Sequence, residues 1–324
     1  MKIGLTYDLK DDYVQAGFTE EVLAEFDSLE TIESIEQALR ALGHEVLRIG
    51  HLRNLVACLS GGSRWDLVFN ICEGLYGMGR EAQVPALLDA YQIPYTFSDP
   101  VVLGLTLQKD LAKRVVRDLG LRTPGFRVIS SPADLEAFDL PFPVFAKPVA
   151  EGTGKGINHH SVIDTRKQLT VICQTLWKTF RQPVLVETYL KGREFTVGIV
   201  GTGLKAAIIG VMEIVLKDHA EPGSYSYQNK KEYQSVVDYA FPIDLQATAA
   251  GELALAAWRG LGCRDGGRID IRCDQQGLPY FLEVNPLAGL HPRDSDLPII
   301  CRHVGLPYLD LIRAIVDSAL ERNR

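Results

Sequence analysis

The chain reads as an α/β protein, α+β overall, in which a parallel sheet with helices packed on its faces is followed by two mixed units. Three observations predict this. Strand and helix signals alternate through the first third of the chain, the pattern of a parallel sheet. Two late segments, residues 267–272 and 279–286, alternate polar and apolar residues around a turn, the pattern of an antiparallel hairpin. The length of 324 residues, at roughly 100–200 residues per domain, allows two or three domains.

In order, Lys2–Tyr7 is a short apolar strand. Asp27 is expected to cap a helix, with Glu30 three residues on completing a capping box. Ile32, Ile35, Leu39 and Leu42 follow as one apolar helical stripe, and Gly43 stops it. Strands are predicted over 45–49, 66–71 and 93–96, with a helix over 81–91 between the last two. A second unit opens near Pro100. It holds a helix over 108–119, strands over 126–129 and 143–147, a glycine-rich stretch, a helix over 164–180 and a strand over 184–187. A third unit begins around Gly192, with strands over 194–200 and 205–215, a polar loop over 217–233, helices over 245–261 and 309–320, and the late hairpin. The expected domains are 1–104, 105–190 and 191–324.

Composition narrows the class. Hydrophobic residues make up 46% and charged residues 23% of the chain, ordinary for a globular protein. A net charge of −7 without a basic tail argues against a nucleic-acid partner. No apolar run reaches the roughly 18–20 residues of a membrane span, so no membrane is expected. Asp8 and Lys10 come too early for a signal peptide. Six irregularly spaced cysteines, none in a C-x-x-C pair, read as reduced thiols in a cytoplasmic protein rather than a zinc site.

The hairpin carries the most chemistry. Arg268, Asp270 and Arg272 share one face of the first strand, and Phe281, Glu283 and Asn285 one face of the second. A turn of two or four residues near 274–277 would set Asp270 opposite or diagonal to Glu283, with Asn285 nearby. Cross-strand neighbours lie about 5 Å apart, and two carboxylates that close call for a cation. Oxygen ligands without cysteine or histidine suit Mg²⁺ or Mn²⁺, with phosphate oxygens completing the shell. The plain alternative is a solvated strand face in which Arg268 pairs with Asp270. Upstream, Lys147 ends a strand and opens a glycine-rich run, Glu151-Gly152-Thr153-Gly154-Lys155-Gly156. Its backbone N–H groups could cradle phosphates, though the run is not a Walker A loop and a hairpin turn explains it equally well.

Together these segments resemble the ATP-grasp superfamily, specifically the D-alanine–D-alanine ligases. The resemblance runs in order through I-P-Y-T-F-S at 93–98, Lys109, residues 147–156, residues 184–190 with G-R-E-F-T-V at 192–197, R-I-D at 268–270 and E-V-N at 283–285. It implies an ATP-grasp fold of three domains sandwiching ATP, and a ligase that joins two amino acids through an acyl-phosphate. At matched positions it implies that Lys109 and Lys147 contact ATP, that Glu187, Tyr189 and Leu190 hold adenine, and that Glu194 binds ribose. It makes Asp270, Glu283 and Asn285 ligands of two Mg²⁺ ions, with Mn²⁺ as a substitute. Arg268 and a backbone N–H of Gly289 would stabilise the tetrahedral oxyanion. Thr153 stands where the family has a loop serine, and Lys230 matches a lysine of the lid, here residues 217–233. Peptidoglycan synthesis and a homodimer are the implied setting and assembly.

The departures fall in substrate subsites. The family's N-terminal glutamate motif is missing, leaving Glu25 or Glu30 as stand-ins. Glu73-Gly74 replaces a histidine-glycine, Lys231 follows the lid lysine, and the serine for the second substrate's carboxylate falls at Asp294, beside Ser295. His291 and Arg293 complete the candidate substrate residues. Two other readings remain: an ATP-grasp ligase for another carboxylate and amine, and a nucleotide-binding protein without catalysis.

Overall fold

The computed structural model describes residues 1–221 and 223–322. Its first sheet is parallel, with β1 (Lys2–Tyr7) between β2 (Glu45–Gly50) and β3 (Leu67–Ile71). Four helices accompany it: α1 (Lys10–Gln15), α2 (Leu29–Ala41), α3 (Leu52–Ser60) and α4 (Gln83–Ala90). The stripe Ile32, Ile35 and Leu39 of α2 is fully buried against Ile3, Leu5 and Phe69. On the other face Trp65 and Val68 pack with Leu55, Leu59 and Leu88.

Three expectations for this region are corrected. Ser28, not Asp27, caps α2, its Oγ accepting from the Thr31 N–H at 3.3 Å. Asp27 is half-buried, and desolvation with the nearby Asp8 pushes its carboxyl up to about 7, while Glu30 reaches Arg293 instead of its own backbone. Residues 93–96 form only a single bridge, Tyr95 to Val68, because the chain leaves the sheet edge at once. Helices α1 and α3 were not expected.

The chain continues through α5 (Pro100–Leu107) and α6 (Lys109–Asp118) into an antiparallel sheet of order β4-β7-β5-β6. These strands are β4 (Phe126–Ile129), β5 (Val144–Pro148), β6 (Val162–Ile163) and β7 (Val184–Thr188), with α7 (Pro132–Glu136) and α8 (Arg166–Phe180) between them. A second antiparallel sheet has the order β10-β9-β8-β11-β12. It comprises β8 (Glu194–Val200), β9 (Ala207–Leu216), β10 (Val237–Ala240), β11 (Gly266–Cys273) and β12 (Pro279–Asn285). The segment expected as a polar loop contains two short helices, α9 (Tyr227–Lys231) and α10 (Tyr233–Val236). Helix α11 (Leu245–Leu261) lays the fully buried Trp258 across β11. Gly267 is required there, because a Cβ would lie 2.4 Å from Asn285 O and 2.7 Å from the Trp258 ring.

The last two helices, α12 (Asp296–His303) and α13 (Tyr308–Glu321), return to the start of the chain. Leu297, Leu311, Ile312, Ile315 and Val316 share one core with Ile3, Leu5 and the α2 stripe. All six cysteines are free and five are buried. Among the described residues, no helix is long and apolar enough to cross a membrane.

Candidate active site

Register decides what the hairpin can do. Strands β11 and β12 are joined by five residues, 274–278, because Cys273 pairs with Pro279. That turn alone would place Leu282 opposite Asp270. A bulge intervenes: Ile271 pairs with Phe281, but Asp270 pairs with Glu283 and Arg268 with Asn285. The extra residue is Leu282, and both it and Glu283 border the cleft. The bulge thus re-aims a carboxylate and produces the Asp270–Glu283 pairing expected of a shorter turn.

Around this pair the charges are densely matched. Thr196 Oγ1, on β8, donates to Asp270 Oδ1 at 2.9 Å. Arg268 Nη1 binds both Asp270 oxygens at 2.7 and 2.5 Å, and its Nε lies 3.5 Å from Asp296 Oδ2. The simple Arg268–Asp270 pair is therefore present. Lys109 Nζ sits 3.4 Å from Glu283 Oε2 and donates to the Glu151 carbonyl. Burial would raise the Glu283 carboxyl, but Lys109, Lys147, Lys230 and Arg268 together hold it well below the usual carboxylate range. Asn285 Nδ2 is buried without a hydrogen-bond partner among the described residues.

A narrow slot opens beside this platform, bounded by Phe145 and Lys147 of β5, Tyr189 and Leu190 after β7, Glu194 of β8, and Leu282. Glu187 lies at its base, salt-bridged to Lys147 at 2.9 Å and to Lys113 at 2.8 Å. Burial lowers the fully enclosed Lys113 to about 8 despite Glu187. Lys113 was missed in the sequence, although it lies one helical turn beyond Lys109 on α6 and so on the same face. Thr196 was missed as well, and Arg272, read only as sharing the face of Asp270, was given no role; its Nη1 donates to Glu194 Oε2 at 3.0 Å and it covers the Tyr189 ring. Alternation along β8 and β11 was the available signal for both.

The slot merges into a cavity of about 840 Å³. Arg268, Glu283, Asn285, Gly289, Thr153 and Lys230 line it, as do Glu25, Glu73, His291, Asp294 and Ser295. Tyr225 and residues 230–235 form one wall. It is braced by Asn229 Nδ2, which donates to the carbonyls of Glu221 and Ser224, and by Tyr225 Oη, 2.7 Å from Tyr239 Oη. Lys230 lies over the Tyr225 ring. The wall rests on the glycine-rich loop at Gly154, whose φ of +72° suits glycine; a Cβ there would lie 2.9 Å from Tyr227 N.

The substrate candidates are less uniform. Arg293 turns to Glu30 at the surface and does not border the cavity. His291 Nδ1 accepts from the Asp294 N–H, and Ser295 Oγ accepts from the His291 N–H, so these residues shape one loop. Asp294 also accepts from Tyr233 Oη. Glu25 is already paired, with Arg80 Nη2 at 3.0 Å and Lys155 Nζ at 2.9 Å.

Comparison with known proteins agrees with this geometry. The family described as D-ala D-ala ligase C-terminus matches residues 116–317. A D-alanine–D-alanine ligase of Bordetella petrii is 32% identical, over 90% of this chain and 87% of that one. The D-alanine–D-alanine ligase of Bacillus anthracis, solved with ATP, superposes with a TM-score of 0.73 at 21% identity, over 99% of this chain and 98% of that one. VanG D-Ala:D-Ser ligase of Enterococcus faecalis gives a TM-score of 0.75 at 19% identity, over 98% and 99%. A matched family segment, near-complete coverage at 32% identity and the ATP-grasp fold converge on one statement: this chain belongs to the D-alanine–D-alanine ligase family.

Proposed function

We propose that the protein uses ATP to join an amino-acid carboxylate to an amine through an acyl-phosphate. The observation that carries this is the bulge-set register that puts Asp270 opposite Glu283, beside Asn285 and among Lys109, Lys147, Lys230 and Arg268. Family membership makes the enzyme an ATP-dependent ligase that forms a peptide bond. The pair of substrates, D-alanine twice or a related pair, is our inference from its relatives' names.

A carboxylate does not acylate an amine at neutral pH until it is activated. Tyr189, Leu190 and Leu282 form the adenine slot, Glu194 takes the ribose, and Lys109, Lys147 and Lys230 draw the phosphates toward the cavity. Asp270, Glu283 and Asn285 offer hard oxygen donors that fit two Mg²⁺ ions or Mn²⁺. Phosphate oxygens of the nucleotide would complete the shell of each cation. Once bound the cations would neutralise the phosphate charge. Ionised Glu283 is kept ready by its lysines. Arg268, released from Asp270, then faces the tetrahedral oxyanion together with the Gly289 N–H, and Thr153 sits on the glycine-rich loop beside the carboxylate. The wall formed by Tyr225 and residues 230–235 excludes water, which would hydrolyse an acyl-phosphate.

The proposed units are 1–104, 105–190 and 191–324, with residues 287–319 contributing to the core of the first. A cytoplasmic homodimer acting in peptidoglycan synthesis is the setting we propose, on the family's example alone. The deciding experiment measures amine-dependent ADP release with ATP, Mg²⁺ and paired D- and L-amino acids. Asp270→Ala and Glu283→Ala are expected to abolish it while circular dichroism stays unchanged. Normal turnover in either variant removes the metal assignment.

A further inference from the structure

The cavity has three ends. The nucleotide slot is one, and a donor end bounded by Glu73, Glu81 and the glycine-rich loop is another. The third is lined by Gly289, His291, Ser295 and Asp296. Arg268 divides the space. Its Nη1 binds Asp270 on the nucleotide side, and its Nε lies 3.5 Å from Asp296 Oδ2 on the other. In the proposed reaction phosphate departs toward Asp270 and Glu283. The amine must therefore reach the acyl carbon from the flank that Asp296 occupies.

A rigid support holds Asp296 there. It is the first residue of α12, whose Leu297 and Ile300 are fully buried and pack closely on Gly198 of β8. An aspartate at a helix start ordinarily faces water or caps the backbone. This side chain is only 12% exposed, and among the described residues it accepts no hydrogen bond; Arg268 is its one ion-pair partner. The neighbouring groups are committed. His291 Nδ1 accepts from the N–H groups of Arg293 and Asp294, which leaves the ring proton on Nε2, facing Glu30 at 3.5 Å. Tyr225 and Tyr239 stay protonated, because burial and the charge of Asp296 raise both hydroxyls. Tyr233 donates to Asp294, which is half-exposed. Among the described residues at this end, Asp296 combines enclosure with an uncommitted oxygen lone pair.

We propose that Asp296 is the proton acceptor for the incoming amine: it holds the ammonium beside the acyl carbon and takes the proton whose loss frees the nitrogen lone pair. This rests on the ligase reading above. One N–H bond of the ammonium breaks, and its proton passes to an Asp296 oxygen. The nitrogen then bonds to the acyl carbon. The carbon–oxygen bond to phosphate breaks, and phosphate leaves with that electron pair. The new amide nitrogen gives a second proton to the departing phosphate, and Asp296 returns its own to water at the cavity mouth.

Hydroxylamine separates this role from a structural one. It is a far weaker base than an amino acid's amine, is largely unprotonated at neutral pH, and attacks an acyl-phosphate without a proton acceptor. Full-length protein is given ATP, Mg²⁺ and D- or L-amino acids, alanine first, with and without hydroxylamine. Dipeptide and hydroxamate are measured separately. In Asp296→Asn the kcat for dipeptide is expected to fall about 10²- to 10⁴-fold, the usual share of a general base. Hydroxamate is expected to form at close to the wild-type rate, with the KM for ATP little changed. Asp296→Ala is expected to behave alike and to regain dipeptide synthesis when formate is added. Dipeptide formation at the wild-type rate in Asp296→Asn overturns the inference. So does an equal loss of both products in the two variants, which would make Asp296 a mere support for Arg268. If the wild type makes neither product from any amino acid, the ligase reading falls instead.

Discussion

The nucleotide end and the donor end of one cavity are built on opposite principles. At the first, Lys113, Lys147 and Glu187 form a closed triad, and Glu283 stands among four cations. At the second, Glu73 and Glu81 border the cavity with no side-chain hydrogen bond or ion pair among the described residues, only the longer-range pull of Arg80 on both. The first end is complete before any ligand arrives, so its order contributes to folding. The second carries carboxylates that burial disfavours in their ionised form, so it contributes less to folding.

The largest expected effect tests the closed triad. Lys113→Met leaves Glu187 buried with one cation, and removing one member of a buried pair typically costs about 3–5 kcal/mol. Urea unfolding is expected to show that loss, and Glu187→Gln in the same chain to recover part of it. An unchanged midpoint would mean that Lys113 is a passenger. Next comes the oxyanion: Arg268→Ala is expected to lower kcat about 10²- to 10³-fold with the KM for ATP unmoved, as read by steady-state phosphate release. The smallest effect lies at the other end and has the opposite sign. The carboxyl of Glu73 is raised in the folded state, chiefly by burial. Its ionised form therefore destabilises the fold above the ordinary carboxylate range, and protonation relieves this as pH falls. Glu73→Gln is expected to raise Tm by roughly 2 °C at pH 8 and by progressively less toward pH 4, measured by calorimetry. A lower Tm at pH 8 would erase the contrast between the two ends.

Much of the nucleotide end was legible because strand alternation is local. Asp270, Glu283 and Asn285 follow from a period of two, Lys147 from its place at a strand end before the glycine-rich run and Glu194 from the family resemblance, and all five border the two adjoining cavities. The route to the register was not legible. A turn of two or four residues would give the Asp270–Glu283 pairing directly, whereas the chain uses five and corrects the parity with Leu282. No residue pattern announces that bulge. The spacing of Leu52, Leu55 and Leu59 did carry α3, but in a short helix of nine residues. The donor end was hidden for a different reason. Arg80 meets Glu25 across 55 positions and Lys155 meets it across 130. Which carboxylates remain unpaired is settled only after three distant segments have packed.

Helices α12 and α13 share their hydrophobic interior with β1 and α2. The first hundred residues are thus not an exchangeable module, although a linear map of the chain would suggest one. A chimera that grafts this stretch from a relative would inherit half a core. Recombination among such ligases is expected to succeed only when beginning and end are inherited together.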